Sequence, residues 1–268
     1  MVENAEALGF IIHPFPLSRP IELLAPARDA EVGREAILHG ADAVYIGGPS
    51  FGARAAAGNS VADIAALCAF AHIYDARVYV TLNTILYDGE VEEARALIQQ
   101  LYEAGVDALI TQDAALPELQ AEGRLAPIAL HASTQMDNRG VEDARQRQAE
   151  GFTRVVLARE SSLERIREIH KALPTLNIEA FVHGALCVSY SGRCYASAYK
   201  FNRSANRGCC AQFCRLAFDL VDDDGRIIES NRHLLSLKDM CRKEDLEAMM
   251  DAGVMSFKIE GRLKDVAY

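Results

Sequence analysis

A short β-branched apolar run followed by a helical segment, often closed by glycine, returns about every 25 to 30 residues along this chain, the spacing of parallel α/β folds. Eight such runs can be counted: Ile21–Ala27, Ala43–Gly47, Arg77–Asn83, Ala108–Gln112, Ile128–Thr134, Arg154–Arg159, Asn177–Gly184 and Ser256–Gly261. The helices between them show apolar residues at helical spacing, as in "EVEEARALIQQLYEAG", or clear end signals, as in "DAEVGREAILHG", with Asp29 as N-cap and Gly40 as stop. Near-continuous apolar strands fit a sheet covered on both faces. A count of eight favours a TIM-like (β/α)8 barrel over an open doubly wound sheet, and no G-x-G-x-x-G follows the first strand.

Two irregularities break the rhythm. The link after the seventh strand, residues 185–238, is far longer than the few residues usual there. It holds a β-hairpin signal, "RLAFDLVDDDGRIIES", around its acidic turn. After the eighth strand only the first residues of a helix could be present, so most of helix 8 is expected to be missing and the chain to be an N-terminal fragment of a longer protein. Residues 1–20 read as an irregular leader, and residues 21–268 as the barrel domain.

Position alone then nominates residues for chemistry, because such barrels work at the C-terminal ends of their strands. The polar residues there are Arg28, Asn83, Gln112, His131, Ser133, Gln135, Arg159, His183, Lys258, Glu260 and Arg262. Strand alternation puts His131 and Ser133 on one side, and likewise Lys258 and Glu260. His131, Lys258 and Glu260 are the candidates for catalysis. Asn83, Gln135, Arg159 and His183, with Arg203 and Arg207 of the long link, are the candidates for substrate binding. Some of these residues are equally compatible with capping helices or filling the barrel mouth.

The long link leaves from that same end, and it carries most of the chain's thiols. Between Gly184 and Arg215 lie five of the seven cysteines and five Lys or Arg without one Asp or Glu, in a chain of net charge −10. No apolar run approaches the ~20 residues of a membrane-spanning helix, and the first residues lack the basic start of a signal peptide. A cytoplasmic protein with no membrane partner is expected, with its cysteines reduced. Clustered reduced thiols point to metal or catalysis, whereas Cys68 in "AALCAFAHIY" reads as a small apolar core residue. The spacing of Cys187, Cys194, Cys210 and Cys214 is less regular than in common zinc sites. Glycines beside the thiols suit a [4Fe–4S] cluster, which ranks modestly above zinc. Arg193, Lys200, Arg203, Arg207 and Arg215, interleaved with Tyr190, Tyr195, Tyr199 and Phe201, could offset a thiolate-bound cluster or meet RNA phosphates and bases; a merely solvated loop is the plain alternative.

At these residues the chain resembles the U32 family, historically labelled peptidase or collagenase-like. The resemblance rests on "EAFVHGALCVSYSGRCYAS" (Glu179–Ser197), supported by "ELLAPA", "GADAVYIGG", "FGAR", "HASTQ", "NRGCCAQFCR" and "SFKIEGR". Within the family, "VTLNTIL" and "NRSANRG" resemble the branch that makes 5-hydroxycytidine in bacterial 23S ribosomal RNA. The resemblance implies a TIM-like domain, an iron–sulfur cluster, C5-hydroxylation of a pyrimidine in RNA, and a small-molecule, prephenate-derived donor. It places cluster ligands at Cys187, Cys194, Cys210 and Cys214, with Cys241 in "LKDMC" as a rival fourth ligand and Cys209 as a spectator. A U32-type peptidase and a non-catalytic metal-binding scaffold stand as alternatives. The chain has neither H-E-x-x-H nor G-x-S-x-G to support proteolysis.

Overall fold

The computed structural model describes residues 21–52 and 58–268. The expected leader at residues 1–20, and Ala53 and Arg54 of the "FGAR" block, lie outside the described residues. Strands β1 (Glu22–Ala27), β2 (Ala43–Gly47), β3 (Arg77–Leu82), β4 (Ala108–Thr111), β5 (Ala129–Ala132), β6 (Arg154–Val156) and β7 (Asn177–Gly184) follow one another in parallel. Strands β8 (Phe218–Val221), β9 (Ile227–Arg232) and β10 (Met240–Cys241) belong to the long link, which runs past its expected end at residue 238, and β11 (Val254–Ile259) is the eighth barrel strand. β7 pairs with both β6 and β11, and β11 pairs with β1, which closes the cylinder. The sheet therefore has the closed eight-stranded parallel topology expected from the count of apolar runs.

Helices α1 (Ala30–Leu38), α2 (Val61–Ala71), α3 (Val91–Glu103), α4 (Ala115–Ala121), α5 (Val141–Ala149) and α6 (Leu163–Ala172) each follow a strand, and α8 (Leu246–Asp251) precedes β11. Asp29 caps α1 by accepting from the Val32 N–H, and Gly40 just beyond its end has φ +98°. Both ends of that helix are thus where their side-chain chemistry puts them. The main core lies between strands and helices, built by residues such as Ile46, Ile64, Leu67, Val80, Ile98, Leu109, Leu130 and Ile166. Cys68 is part of it, and burial pushes its thiol up to about 12.

Several boundaries differ from expectation. β5 ends at Ala132 because Ser133 turns the chain into a 3-10 turn, Thr134–Met136, by accepting from the Gln135 N–H. β6 is three residues long, and β11 begins two residues early at Val254. The link contains the expected hairpin, β8 with β9, but also helix α7 (Ala196–Phe201) and strand β10, which no periodicity announced. Cys241 therefore lies in a strand paired antiparallel to β7, opposite His183, and α8 begins only at Leu246.

Candidate active site

The barrel interior is ionic. Tyr79 of β3 donates to Glu22 of β1, which also pairs with Arg154 of β6. Those strands are not neighbours, so these side chains meet across the inside of the cylinder. Arg154 also reaches Glu179 of β7 at 3.3 Å, and Ser256 of β11 donates to Glu22 at 2.7 Å. Lys258 completes the chain of contacts with its Nζ 2.7 Å from Glu179. Two carboxylates are thereby matched by two cations, the condition under which buried charge is tolerated. Burial works to raise the Glu22 carboxyl, but Arg154, with the hydrogen bonds from Tyr79 and Ser256, holds the group below the usual range. Burial lowers Lys258, with Glu179 opposing.

Above this layer opens a cavity of about 710 Å³. Its floor is made by the strand ends: Tyr45, Thr81, Phe181, Lys258 and, just past β11, Glu260 and Arg262. Lys258 Nζ lies 4.3 Å from the Tyr45 ring centre, and the Arg159 guanidinium stacks 4.3 Å from that of Phe181. Arg159 pairs with Glu260, its Nε at 3.1 Å from the carboxylate. Burial opposes the Arg159 charge, yet Glu260 more than compensates and raises its affinity for the proton. Lys258 and Glu260, expected side by side, thus have different partners: Glu179 for the lysine and Arg159 for the glutamate. The reason is that β11 ends at Ile259, so Glu260 no longer follows the strand's alternation.

The insertion forms the roof of the cavity and is fastened to the barrel by polar contacts. Arg207 binds Glu90 with both terminal nitrogens, each at 2.7 Å, and stacks on Tyr87. Arg193 reaches Asp137 at 2.6 Å, and the Ser191 N–H and hydroxyl both donate to Glu160 at 3.0 Å. Gly192, at φ +77°, rests on the Gln135 carbonyl so closely that a Cβ would stand 2.0 Å from it. Only glycine fits there.

Four cysteines face this cavity. Cys187, itself exposed, and the half-buried Cys194, Cys210 and Cys214 line the cavity, whereas the exposed Cys209 and Cys241 do not. The Cys214 thiol is raised by burial and then by Cys187, Cys210 and Cys194, with Arg215 opposing, so the four thiols share one electrostatic neighbourhood. Arg215 also hydrogen-bonds the Leu186 carbonyl, which ties the two ends of the thiol-bearing loop together. Among the described residues, no three or more Cys, His, Asp or Glu side chains stand close enough to hold a single metal ion.

The other nominated residues separate into three groups. Asn83, Gln135, Arg159, Lys258 and Glu260 line the cavity. His131 is buried below it against Tyr79, and burial with the Arg154 and Lys258 charges holds its imidazole well below its usual value and hence neutral. His183 points outward into a second cavity of about 490 Å³ beside α1. Arg207 is consumed by Glu90, and Arg203 is on the surface with its Nε on the Cys209 carbonyl. Sequence reasoning passed over Glu22, Arg154 and Glu179, and also the barrel's anchoring acids Glu90, Asp137 and Glu160. The first three did carry a signal: charges at inward positions within otherwise apolar strands.

Comparison with known proteins places the chain. The model of peptidase family U32 matches residues 28–268. The chain is 58% identical over 251 residues to the 23S rRNA 5-hydroxycytidine C2501 synthase of Escherichia coli, covering 94% of this chain and 38% of that protein. It is 36% identical to tRNA hydroxylation protein P1 of Bacillus subtilis, covering 94% of this chain and 61% of that one. The solved structure of a U32 peptidase superposes with a TM-score of 0.58 over 90% of this chain and 93% of that chain at 11% identity, which shows the shared fold. The cysteine-roofed barrel and these similarities agree, and the chain belongs to peptidase family U32.

Proposed function

We propose that this chain is the cluster-binding barrel of an enzyme that hydroxylates C5 of a pyrimidine in RNA, namely a cytidine of 23S ribosomal RNA. The observation that carries the reading is that Cys187, Cys194, Cys210 and Cys214 line the same cavity as the polar barrel floor. The printed activities of the E. coli and B. subtilis relatives support the RNA substrate.

The donor set fits a [4Fe–4S] cluster better than zinc. A tetrahedral zinc ion with bonds of about 2.3 Å draws its sulfurs to within roughly 4 Å of each other. A cluster takes each thiolate on a different iron and so needs them farther apart. Four thiols spread along the lining of one cavity suit the second case. Such a cluster supplies one-electron chemistry or a binding point for an oxygen donor. The donor is a small molecule, which the family resemblance takes to be prephenate-derived.

The chain's own residues have distinct tasks. Replacing C5–H by C5–OH takes two electrons from the base and releases a proton; the small-molecule donor that delivers the oxygen takes up those electrons, and Glu260 is, among the described residues, the only carboxylate lining the cavity. Glu260 accepts that proton, and Arg159 holds it in place. Lys258, kept in position by Glu179, presents its ammonium to the incoming oxygen. His131, sealed and neutral, supports the floor rather than touching substrate. Lys200 and Arg203 meet RNA phosphates, and Tyr199, 93% exposed, offers a stacking face. Among the described residues, no histidine lines the cavity to make a thiol–histidine or serine–histidine couple.

The test is anaerobic purification of the full-length protein. About four irons and four sulfides per chain are expected, and a colourless protein with one zinc defeats the cluster. Cys214→Ser is expected to lose iron, whereas Cys241→Ser keeps it. Ribosomal RNA from a deletion strain is expected to lack 5-hydroxycytidine, and unchanged levels defeat the hydroxylase reading.

A further inference from the structure

One wall of the cavity carries polar groups whose hydrogen-bonding roles are already fixed by their neighbours. Gln112 Nε2 donates to the Asn83 carbonyl at 2.7 Å and to the Asn206 carbonyl at 3.0 Å, fixing the end of β3 beneath the insertion. From there Asn83 Nδ2 donates to Gln135 Oε1 at 2.6 Å and to Ser133 Oγ at 3.5 Å. Ser133 Oγ also accepts from the Gln135 backbone N–H at 3.2 Å.

Those contacts leave a defined residue of bonding capacity. The bond from Asn83 fixes the orientation of the Gln135 amide, engaging one of its oxygen's two acceptor sites and leaving the Nε2–H2 group as the donor available to a ligand. The Ser133 oxygen has two acceptor sites and both are occupied, so only its O–H remains. Both residues line the cavity, and Ser133 is 1% exposed. The wall therefore offers two adjacent donors, one from each residue. Cytosine presents two adjacent acceptors, O2 and N3. Uracil presents O2 beside an N3–H, which would set donor against donor in a buried site and leave both unsatisfied.

We propose that Ser133 and Gln135 form the edge that selects cytosine over uracil, with the target base turned out of its strand into the cavity. This rests on the RNA-hydroxylase reading above. Enzymes that act on a base commonly extrude it and read its Watson–Crick edge in this way. With O2 and N3 against this wall, the opposite C5–C6 edge faces the remainder of the cavity, where the thiols, Lys258 and Glu260 stand. Asn83 and Gln112 are positioning residues that set the donor roles.

The experiment uses the full-length protein under anaerobic conditions and labelled single-stranded RNA oligonucleotides of the 23S target loop. These carry cytidine, uridine or 3-deazacytidine at one position, the last replacing N3 by C–H without altering the protein. Cytidine RNA is expected to bind about tenfold or more tightly than either other RNA. Gln135→Glu keeps the bond from Asn83 but exchanges the remaining donor for an acceptor, and is expected to erase or invert the cytidine preference. Ser133→Ala, which removes one donor, is expected to reduce it several-fold. Equal binding of cytidine and 3-deazacytidine RNA, or an unchanged preference in Gln135→Glu, overturns the inference. The hydroxylase reading fails separately, on the 5-hydroxycytidine content of ribosomal RNA in the deletion strain; a cytosine preference in binding would survive that failure.

Discussion

Between Ala185 and Ala248 the only buried residues are the two small serines Ser191 and Ser197, whereas the barrel strands and helices bury dozens of large apolar side chains. The hairpin of β8 and β9 is exposed along nearly its whole length. An insertion of this length with so little buried apolar surface needs other fasteners. It has no disulfide, and its thiols are free. What it does have is a set of charged clamps to the barrel, Arg207 to Glu90, Arg193 to Asp137 and Ser191 to Glu160, together with four thiols gathered under its roof. The barrel is held by apolar packing around an ionic centre, while the insertion depends on polar anchors and on whatever its cysteines bind. The contrast explains how one chain can present a fixed floor and a separately fastened roof.

The largest expected effect tests the barrel half of that contrast. Arg154→Met leaves Glu22 a buried carboxylate without its cation, while Glu179 keeps Lys258, a loss of about 3–5 kcal/mol, read as a lower urea midpoint for global unfolding. A midpoint shift below ~1 kcal/mol would mean that the ionic layer is not integral to the barrel. Next comes the seam between the two halves. Gly192→Ala forces a Cβ onto the Gln135 carbonyl at a left-handed backbone position, at about 1–3 kcal/mol for the strain alone. Hydrogen exchange should speed up across residues 185–215 while the barrel strands keep their protection. Simultaneous loss of protection in both regions would show that roof and barrel open as one unit.

A smaller effect comes from pH. His131 is held well below its usual 6.5 in the folded protein, so the unfolded chain binds the extra proton. Its contribution to stability is complete above pH 6.5 and is lost as pH falls below it, at up to about 1.4 kcal/mol per pH unit. Glu22, lowered from 4.5, adds to the loss further into acid as pH falls through its folded value. Melting temperature should therefore drop between pH 7 and 5, and His131→Leu should flatten that drop. An unaltered slope in the variant would place the titration elsewhere. The smallest effect is at the clamps. Arg207→Ala removes the pair with Glu90 and should loosen the insertion near Ala205–Gly208 without moving the barrel's melting temperature.

The legible and illegible parts of this fold separate along the same line. Strand β7 at Asn177–Gly184 and β2 at Ala43–Gly47 are found as read, because continuous apolar runs between turn signals leave few alternatives. Helix α7 and strand β10 were not readable, since neither has a buried apolar stripe to impose a period. The same absence of period hid that Cys241 belongs to a strand. In the site, position at strand ends singled out Asn83, Gln135, Arg159, Lys258 and Glu260, all of which line the cavity. It equally singled out His183, which faces outward, and His131, which is sealed beneath the floor. Spacing along a strand says which residues share a side; it does not say how deep each one sits or how far the strand runs.

The sequence by itself determined the eight-fold strand–helix alternation, the place of the insertion after the seventh strand and the concentration of thiols within it, because each is a property of local order along the chain. Only the tertiary structure decided which charges meet. Glu22 and Arg154 are 132 residues apart and find each other across the barrel interior, and Lys258 takes Glu179 rather than the nearby Glu260. It also decided that four cysteines spread over 28 residues line one chamber while Cys209 and Cys241 do not. Closing a sheet into a cylinder brings distant strands within hydrogen-bonding reach, and partners of that kind follow from the closure rather than from any neighbouring stretch of chain.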